Sequence, residues 1–295
     1  MEICTVENLL IGTNFEQFIG FVKKVTFNNY VYDNLFIMGN TELGHFSVKI
    51  RNIKQQNVVD SINNLNNIND IEEYLNKNIE IVEKEKYIIT VSKWLDGMIP
   101  IKNKSIVPEF FSKLAILNKN NICDGPYTSM YLDNKYFENI PELLDCEINY
   151  HKNYAVEIFD FKIIYEVLDK LKNGISCIIN EDMNCGNMIL TKDGKYKIID
   201  TEWIIKGTNL YQFQHIDYFG FSGKKWYNIT DEAKNCYEAY FNTLGIKYDE
   251  ANEQIRAIEL LNILRENTYW KNTGKENDIK IKQRIKIILE KEKFI

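Results

Sequence analysis

Several kinds of sequence feature are missing from this chain of 295 residues, and each absence argues against a class of protein. Its six cysteines contain no C-x-x-C pair and its three histidines are scattered, so neither a zinc site nor a disulfide framework is predicted. No apolar run approaches the roughly 18 residues of a membrane span, and the acidic start lacks the basic residues of a signal peptide. No dense block of Lys and Arg suggests a nucleic-acid partner. We therefore expect a cytoplasmic protein that does not insert into membranes.

The hydrophobic pattern divides the chain into two regions. At 45% hydrophobic and 13% aromatic residues, the chain can bury one large core or two lobes. Strand patterns dominate the first 95 residues and helical patterns dominate the rest, without a linker rich in proline or glycine and without an internal repeat. We predict a smaller region of strands over residues 1–96 and a mostly helical region over residues 97–295.

The most informative stretch, residues 177–203, contains a polar loop between apolar runs. Asp182 and Asn187 stand in the order D-x-x-x-x-N, and Asp200 follows at the end of a short apolar run. Phosphoryl transfer needs one carboxylate that accepts the hydrogen bond of the attacking hydroxyl, and further oxygen ligands that hold magnesium ions. The stretch therefore predicts a phosphate-transfer centre.

The flanking sequence is expected to bring these three side chains together. Residues 175–179, 188–191 and 196–199 have the length and composition of strands, and an Asp-Gly turn joins the last two. A strand, a loop and a hairpin would place the three polar side chains at one end. Cys185 lies inside the loop, but no histidine is near it in the sequence, so we interpret it as a loop residue and not as a nucleophile.

At these residues the chain resembles the aminoglycoside phosphotransferase and choline kinase superfamily, whose members share the protein-kinase fold and usually read H-G-D-x-x-x-x-N followed by I-D-x-E. Asn180 and Glu181 replace the usual His and Gly, so the support that the histidine gives the loop must come from elsewhere. The resemblance implies an α+β, bilobal protein-kinase-like fold with a small antiparallel sheet in a nucleotide-binding N-lobe and a mostly helical C-lobe. It implies that Asp182 is the catalytic residue. The metal ligands that it implies are Asn187, Asp200 and Glu202.

The resemblance also assigns a phosphate-binding lysine to the third strand of the N-lobe. Residues 44–51 alternate apolar and polar side chains as a strand does, which directs Lys49 away from the apolar face. Lys49 is the best match to the lysine of the family, and Arg51 is the rival. An acid on the next predicted helix, residues 53–65, would hold the lysine extended, and Asp60 is the candidate. The alternatives to Asp60 are Glu72 and Glu73.

Two further segments are matched to nucleotide binding. No G-x-G-x-x-G loop is present, and residues 27–32 resemble instead the glycine-poor N-x-x-Y loop of small-molecule kinases, which assigns Asn28 to the phosphates. The strand that begins at Tyr87 ends in a segment that resembles the hinge before the helical lobe. By this resemblance, the backbone carbonyl of Lys93 and the backbone amide of Leu95 bond the adenine.

Helical periodicity fills most of the C-terminal region. The predicted helices cover residues 107–117, 154–172, 230–244, 251–271 and 279–292, and no element is predicted for residues 118–153. Gly174 is expected to end the second of these helices. Residues 207–217 resemble the family segment that ends in a buried aspartate bracing the catalytic loop, which assigns that structural role to Asp217.

The acceptor is the part of the function that the sequence constrains least, because the substrate pocket is the variable part of this superfamily. Acidic side chains and aromatic rings in the second half of the chain would suit a cationic amine held by cation–π attraction. Choline or an amino sugar is therefore the expected type of acceptor, although these rings would also suit an ordinary core. The residues assigned to the acceptor site are Trp203, Trp226, Glu266 and Trp270.

Together these assignments predict a kinase that uses ATP or GTP with Mg²⁺ to phosphorylate a hydroxyl of a small molecule. Its expected partners are the nucleoside triphosphate and the acceptor. A different class stays open, because spore-coat proteins related to this superfamily have the same fold. A catalytically idle binding or structural protein is therefore the alternative.

Overall fold

The computed structural model describes most of the chain. The residues described are 1–27, 30–40, 44–52, 56–69, 75–84, 86–98, 107–132, 135–155, 160–183, 187–213, 231–274 and 278–295. Within them a small antiparallel sheet forms the N-terminal region, and helices fill most of the C-terminal region, as predicted. The boundary at residue 96 stays a prediction.

Five antiparallel strands form the N-terminal sheet in the order β1-β2-β3-β5-β4. The strands are β1 (Val22–Phe27), β2 (Tyr30–Asn40), β3 (Gly44–Asn52), β4 (Asn78–Lys84) and β5 (Tyr87–Lys93). β3 lies in the middle of the sheet, where Val48 and Ile50 are buried and Lys49 between them is partly covered. The period of two in the sequence therefore sets which side of the sheet Lys49 faces.

A helix that the sequence analysis did not predict precedes this sheet. It is α1 (Ile3–Leu10), and its buried side chains Val6, Leu9 and Leu10 join the core of the sheet. Their spacing of three and four residues is the signal that could have revealed the helix. A helix of eight residues is too short to be stable alone, so its packing against the sheet is what stabilises it.

Two small sheets carry the polar loop. β7 (Ser176–Asn180) pairs with β10 (Ile204–Thr208), and β8 (Met188–Thr191) pairs with both β9 (Tyr196–Ile198) and the short strand β6 (Gly97–Met98). β8 and β9 form the predicted hairpin, and Gly194 in its turn has a φ of 79°, which favours glycine. β6 lies so close to β8 that a Cβ on Gly97 would come 2.4 Å from the backbone oxygen of Leu190. The chain that leaves the N-terminal sheet is therefore packed directly on the β8–β9 hairpin.

The remaining helices lie after β3. They are α2 (Gln56–Asn66), α3 (Val107–Asn120), α4 (Ile140–Lys152), α5 (Phe161–Leu168), α6 (Asp231–Leu244), α7 (Tyr248–Asn272) and α8 (Asp278–Glu290). The helices predicted over residues 107–117, 230–244, 251–271 and 279–292 are all present, with ends shifted by a few residues. None of the helices in the described part of the chain is long and apolar enough to span a membrane.

The helix predicted over residues 154–172 is wrong at its start, because residues 154–155 form a turn; residues 156–159 lie outside the described part. α5 begins only after Asp160, whose side chain accepts a hydrogen bond from the backbone N–H of Lys162 at 3.0 Å. The chain then tightens into a 3₁₀ turn, Asp169–Asn173, and stops at Gly174 as predicted. Here the N-cap aspartate sets the start of the helix, and the apolar periodicity before it does not.

The stretch without a predicted element holds α4 and a long connection before it. Asn139 caps α4 by accepting a hydrogen bond from the backbone N–H of Glu142 at 2.9 Å, and Pro141 lies in the first turn. An N-cap followed by proline is a helix start signal that periodicity alone does not detect. We call residues 121–139 the α3–α4 loop; within it Tyr127 and Phe137 form a β-bridge, and residues 133–134 lie outside the described part.

The hydrophobic core consists mainly of two clusters. A smaller cluster lies between α1 and the N-terminal sheet, and a larger one fills the C-terminal region. Three residues that lie between β3 and β4 belong to the larger cluster, and they are Leu65, Ile68 and Leu75. α2 therefore packs with the C-terminal region, although its sequence lies within the N-terminal one.

Candidate active site

The loop after β7 holds the predicted catalytic pair. Asp182 lies two residues after the end of β7, and Asn187 immediately precedes β8. The side-chain nitrogen of Asn187 donates to the backbone oxygen of Asp182 at 2.7 Å and to Asp182 Oδ2 at 3.2 Å. The backbone oxygen of Asn187 accepts a hydrogen bond from the N–H of Ile199 at 3.0 Å. The structure therefore brings the two residues of the D-x-x-x-x-N motif into direct contact.

Asn180 supports this loop at the position where the superfamily usually has histidine. Its Oδ1 accepts a hydrogen bond from the backbone N–H of Asp182 at 3.0 Å, and its Nδ2 donates to the backbone oxygen of Asp200 at 2.6 Å. An amide side chain can accept and donate at once, so Asn180 joins the two acidic residues of the site. Asn180 itself therefore gives the loop support at the histidine position.

A cluster of charges joins β3 to the segment after β9. Lys49 Nζ lies 2.9 Å from Asp200 Oδ1 and 3.6 Å from Glu202 Oε1. Arg51, two residues along the same strand, donates to Glu202 Oε1 from Nε at 2.9 Å, and its Nη2 lies 2.8 Å from the same oxygen. The sequence makes Lys49 and Arg51 rivals for one role; in the structure both pair with Glu202, and Lys49 also pairs with Asp200. We call Lys49, Arg51, Asp200 and Glu202 the Lys49 cluster.

The predicted metal ligands have the right chemistry for a hard cation. Asp200 and Glu202 supply carboxylates, and the amide nitrogen of Asn187 faces Asp182, which leaves the amide oxygen as the atom for a cation. The described residues contain no group of three or more His, Cys, Asp or Glu side chains that could hold a metal ion by themselves. The predicted set of two carboxylates and one amide fits Mg²⁺ in donor type, and its role stays a prediction.

The predicted hinge follows β5. The backbone oxygen of Lys93, which the resemblance assigns to adenine, accepts a hydrogen bond from Asn76 Nδ2 at 3.0 Å. The next backbone N–H, that of Trp94, donates to the oxygen of His45 at 2.9 Å. A carbonyl oxygen has two lone pairs, so the contact with Asn76 is compatible with a second donor. The assignments of Lys93 and Leu95 to adenine stay predictions.

The structure places Asp60 on α2, beside the α3–α4 loop. Its carboxylate accepts a hydrogen bond from the hydroxyl of Tyr136, and burial together with this bond raises the pKa of Tyr136 to about 12. The ion pairs of Lys49 described above are with other acids, so the pairing of Asp60 with Lys49 stays a prediction. α2 is fastened to the site differently, because the Ser61 hydroxyl donates to the backbone oxygen of Glu202 and Asn64 Nδ2 to that of Ile204.

The residues predicted for the acceptor differ in their surroundings. Trp203 lies next to the loop that contains Asp182, since its backbone oxygen accepts a hydrogen bond from the N–H of Glu181 at 2.9 Å. Glu266 on α7 pairs with Arg284 on α8, so it connects two helices. Trp270 is partly buried against the C-terminal core, and Lys280 Nζ lies 5.4 Å from the centre of its ring. The six singled-out residues that lie outside the described part are Asn28, Glu72, Glu73, Cys185, Asp217 and Trp226.

Sequence reasoning missed a buried ion cluster next to Asp182. The carboxylate of Glu181 lies 3.0 Å from Arg265 Nη2, and the same guanidinium donates from Nε to Glu147 Oε1 at 2.6 Å. The side chains of both glutamates are 0% exposed and that of Arg265 is 2% exposed. We call Glu147, Glu181 and Arg265 the anchor cluster.

The two carboxylates of the anchor cluster differ in pKa. Burial raises the pKa of Glu181 to about 7, against the lowering effect of Arg265. At Glu147 burial acts in the same direction, but Arg265 and hydrogen bonds from Arg265 and His151 outweigh it and lower the pKa to about 2. One buried guanidinium can neutralise only one carboxylate, which explains why the pKa values of the two glutamates differ.

Comparison with known proteins supports the fold. No protein-family model matches the chain, and no curated protein matches it in sequence. Among solved structures, the aminoglycoside phosphotransferase APH(4)-Ia in complex with AMP-PNP and hygromycin B is similar with a TM-score of 0.62 and 12% identity, covering 97% of this chain and 98% of that one. An ethanolamine kinase from Plasmodium vivax is similar with a TM-score of 0.57 and 11% identity, and the match covers 97% of this chain and 86% of that one. An aminoglycoside phosphotransferase from Alicyclobacillus acidocaldarius is similar with a TM-score of 0.53 and 12% identity, and the match covers 88% of this chain and 87% of that one.

These likenesses extend over nearly the whole chain at low sequence identity, so they identify the fold. The chain has a bilobal, protein-kinase-like fold similar to that of these aminoglycoside phosphotransferases and of the ethanolamine kinase. The resemblance that residues 177–203 indicated is therefore confirmed for the fold.

Proposed function

We propose that this protein is a phosphotransferase that uses ATP or GTP with Mg²⁺ to phosphorylate a hydroxyl of a small molecule. The observation that carries the proposal is the convergence of Lys49, Asp182 and Asp200 on one end of the fold, where Asn180 bonds the main chain of both aspartates. This arrangement supports phosphoryl transfer because that reaction depends mainly on positioned charges and needs little covalent chemistry from the protein.

Each residue of the site has a proposed role. Asp182 would accept the hydrogen bond of the acceptor hydroxyl and orient its oxygen, and the contacts of Asn187 and Asn180 keep the main chain of Asp182 in place. Asn187, Asp200 and Glu202 would hold magnesium, and Lys49 would bind nucleotide phosphates. The bound magnesium nucleotide would supply the phosphoryl group and neutralise the charge that develops on it. The further assignments that rest on the resemblance are Asn28, Asp60, Lys93, Leu95 and Asp217.

The proposed acceptor carries an amino group beside its hydroxyl. Two solved structures of similar fold support this, one being an ethanolamine kinase and the other a complex with the aminoglycoside hygromycin B. Arg284 already neutralises Glu266, so a cationic acceptor would depend more on acids of the catalytic end. Choline-like amino alcohols and amino sugars are the two types of acceptor to compare. Trp203, whose backbone oxygen bonds the N–H of Glu181, is the aromatic residue to test first.

Nucleotide binding is the first test of the proposal. Mg²⁺ with a non-hydrolysable ATP or GTP analogue should raise the melting temperature, since a ligand at 100 times its Kd stabilises the folded state by about 2.7 kcal/mol. Lys49→Ala should reduce the shift, whereas Lys23→Ala, the same change at an exposed position of β1, should leave it intact. If millimolar nucleotide with magnesium gives neither a thermal shift nor a calorimetric signal, the idle-fold alternative replaces the kinase.

The catalytic assignment is tested once an acceptor has been found among amino alcohols, aminoglycosides and ribose derivatives by nucleoside diphosphate release. Asp182→Asn keeps the shape of the side chain but removes the proton acceptor, so turnover should fall by roughly 10² to 10⁴-fold. Nucleotide affinity should stay nearly unchanged and serves as the internal control. Asp145→Asn, the same change on the exposed side of α4, should have no effect. An Asp182→Asn enzyme with wild-type turnover would show that this loop is not the catalytic one.

A further inference from the structure

Both carboxylate oxygens and the backbone N–H of Glu181 are hydrogen-bonded, although the residue lies in a loop. Its Oε1 accepts hydrogen bonds from Ser129 Oγ at 2.9 Å and from Arg265 Nη2 at 3.0 Å, and its Oε2 accepts from the backbone N–H of Met130 at 2.6 Å. Its own backbone N–H donates to the oxygen of Trp203 at 2.9 Å. Three donors from two separate elements leave this carboxylate little freedom to rotate, and the next residue in the chain is Asp182.

Arg265 is an equally fixed partner. It projects from α7, the longest helix in the described part of the chain. Its Cζ lies 4.3 Å from the ring centre of Tyr131 and 4.5 Å from that of Tyr211. Its Nε donates to Glu147 on α4 at 2.6 Å. Since Arg presents several donors in one rigid plane, it can bond two carboxylates at once without a change of conformation.

The position of this cluster is difficult to explain by stability alone. Burial of three ionic groups carries a desolvation cost that well-packed apolar residues of similar size would avoid. Where such a cluster persists, a gain in conformational specificity is the hypothesis to test. Here the specificity would concern one place in the chain, because Glu181 directly precedes the proposed base and sits where the superfamily usually has glycine.

We propose that Glu181 and Arg265 are positioning residues, which fix the main chain at Asp182 by tying it to α7. The inference rests on the proposed function, since Asp182 is the proposed base. Asn180 and Asn187 bond the backbone N–H and oxygen of Asp182, and the anchor cluster fixes the residue before it. The same carboxylate bonds Ser129 and Met130, so the α3–α4 loop is held beside the catalytic loop by one shared contact.

A double-mutant comparison separates positioning from general stability. Glu181→Gln keeps the size of the side chain, but its amide group must face at least one of the three donors. With the acceptor found above, turnover should fall about 10- to 100-fold while the nucleotide KM changes less than about twofold, as expected for a displaced catalytic group. In the Asp182→Asn background, Glu181→Gln should have no further effect, because it acts through Asp182. Equal losses in both backgrounds, or no loss in either, would overturn the proposal.

Hydrogen exchange gives a readout that does not need activity. In the full chain, peptides covering residues 178–190 should exchange faster in Glu181→Gln and in Arg265→Met, while peptides of β3 and β5 stay at wild-type rates. Arg256→Met is the matched control, since it makes the same change on the same helix at a side chain that bonds the backbone oxygens of Lys291 and Glu292. Glu181→Gln decides the question if Arg265→Met fails to fold. Wild-type exchange in the loop of Glu181→Gln would refute the proposal.

The two proposals can fail separately. If the wild-type protein neither binds magnesium nucleotide nor transfers phosphate, the proposed function fails while the exchange experiment still decides whether Glu181 and Arg265 fix the loop. If the protein is active and Glu181→Gln leaves both turnover and loop exchange unchanged, the positioning role fails while the kinase stands.

Discussion

The Lys49 cluster and the anchor cluster both contain ion pairs next to the proposed catalytic loop, but they differ in access to water. The side chains of Lys49, Glu202 and Asp200 are 18%, 30% and 33% exposed. The two carboxylates of the anchor cluster are fully buried, and its guanidinium is enclosed by two aromatic rings. Except for Arg51, whose side chain is 6% exposed, the first cluster is partly open to solvent, whereas the second is sealed.

This difference suits two different tasks. In a partly exposed cluster, water can replace a partner. With the proposed roles, Lys49 would exchange Asp200 for a phosphate, and Asp200 would exchange Lys49 for a cation, at modest cost. In a sealed cluster, the loss of one partner leaves a buried charge without compensation, so the geometry stays fixed. The comparison teaches that ionic contacts of similar length can serve ligand exchange in one place and rigidity in the other.

The largest expected effect comes from the open cluster. Asp200→Ala removes the central carboxylate of the predicted metal site, so turnover should fall by about 10³-fold or more and magnesium should no longer enhance nucleotide binding. Steady-state assays and calorimetry with and without magnesium check this. Folding should be preserved, because Asp200 is partly exposed. Retained magnesium-dependent binding in Asp200→Ala would contradict the assignment of Asp200 to the metal.

Removing the cation should cost much more stability in the sealed cluster than in the open one. Arg265→Met leaves two buried carboxylates without their partner and should lower the free energy of unfolding by about 3 to 5 kcal/mol. Lys49→Met breaks a partly exposed pair and should change it by less than about 1 kcal/mol. Urea unfolding of both variants and the wild type measures the difference. Comparable losses in the two variants would break the distinction between an open and a sealed cluster.

The pH dependence of stability tests the sealed cluster more finely. Because burial raises the pKa of Glu181 from 4.5 to about 7, this group contributes stability that is complete below pH 4.5 and is lost as the pH rises through about 7. The loss from this group should be on the order of 3 kcal/mol. Glu147, with its lowered pKa of about 2, changes ionisation below this window.

Urea unfolding between pH 4.5 and 7.5 measures this contribution. Glu181→Gln should flatten the profile relative to the wild type, whereas Glu142→Gln, a change at an exposed position on α4, should leave the slope unaltered. Parallel profiles for the wild type and Glu181→Gln would mean that Glu181 stays ionised throughout this range.

The smallest effect is expected at Glu202. Glu202→Gln removes one charge from a metal site that Asp200 and Asn187 would still hold, so it should raise the magnesium concentration needed for half-maximal rate by about 10-fold or less. It also weakens the contacts of Glu202 with Arg51 and Lys49. A magnesium titration of the rate checks the prediction. An unchanged magnesium requirement would make Glu202 a structural partner of Arg51.

The sequence predicts the catalytic end well where the information is local. Asp182, Asn187 and the hairpin lie within one short stretch, and turn chemistry together with strand patterns is sufficient to predict their meeting. The alternation of β3 likewise directs Lys49 to the face where Asp200 lies. Periodicity did less well at helix starts, where the caps at Asn139 and Asp160 decide.

The anchor cluster could not be predicted in the same way. Arg265 is 84 residues from Glu181 and 118 from Glu147, and no period or spacing connects positions so far apart. One signal was available, because Glu181 places a carboxylate directly after an apolar strand where glycine is usual. A buried carboxylate requires partners, so this departure from the family motif pointed to an unidentified cation.

The fastening of α2 has a consequence for any attempt to divide the protein. A fragment ending at residue 96 would carry Leu65, Ile68 and Leu75 away from the core in which they are buried, and Ser61 and Asn64 would lose the backbone oxygens that they bond. Exposed apolar surface of this kind favours association over independent folding. The two lobes should therefore unfold in one transition, and separately produced fragments should fold only when mixed.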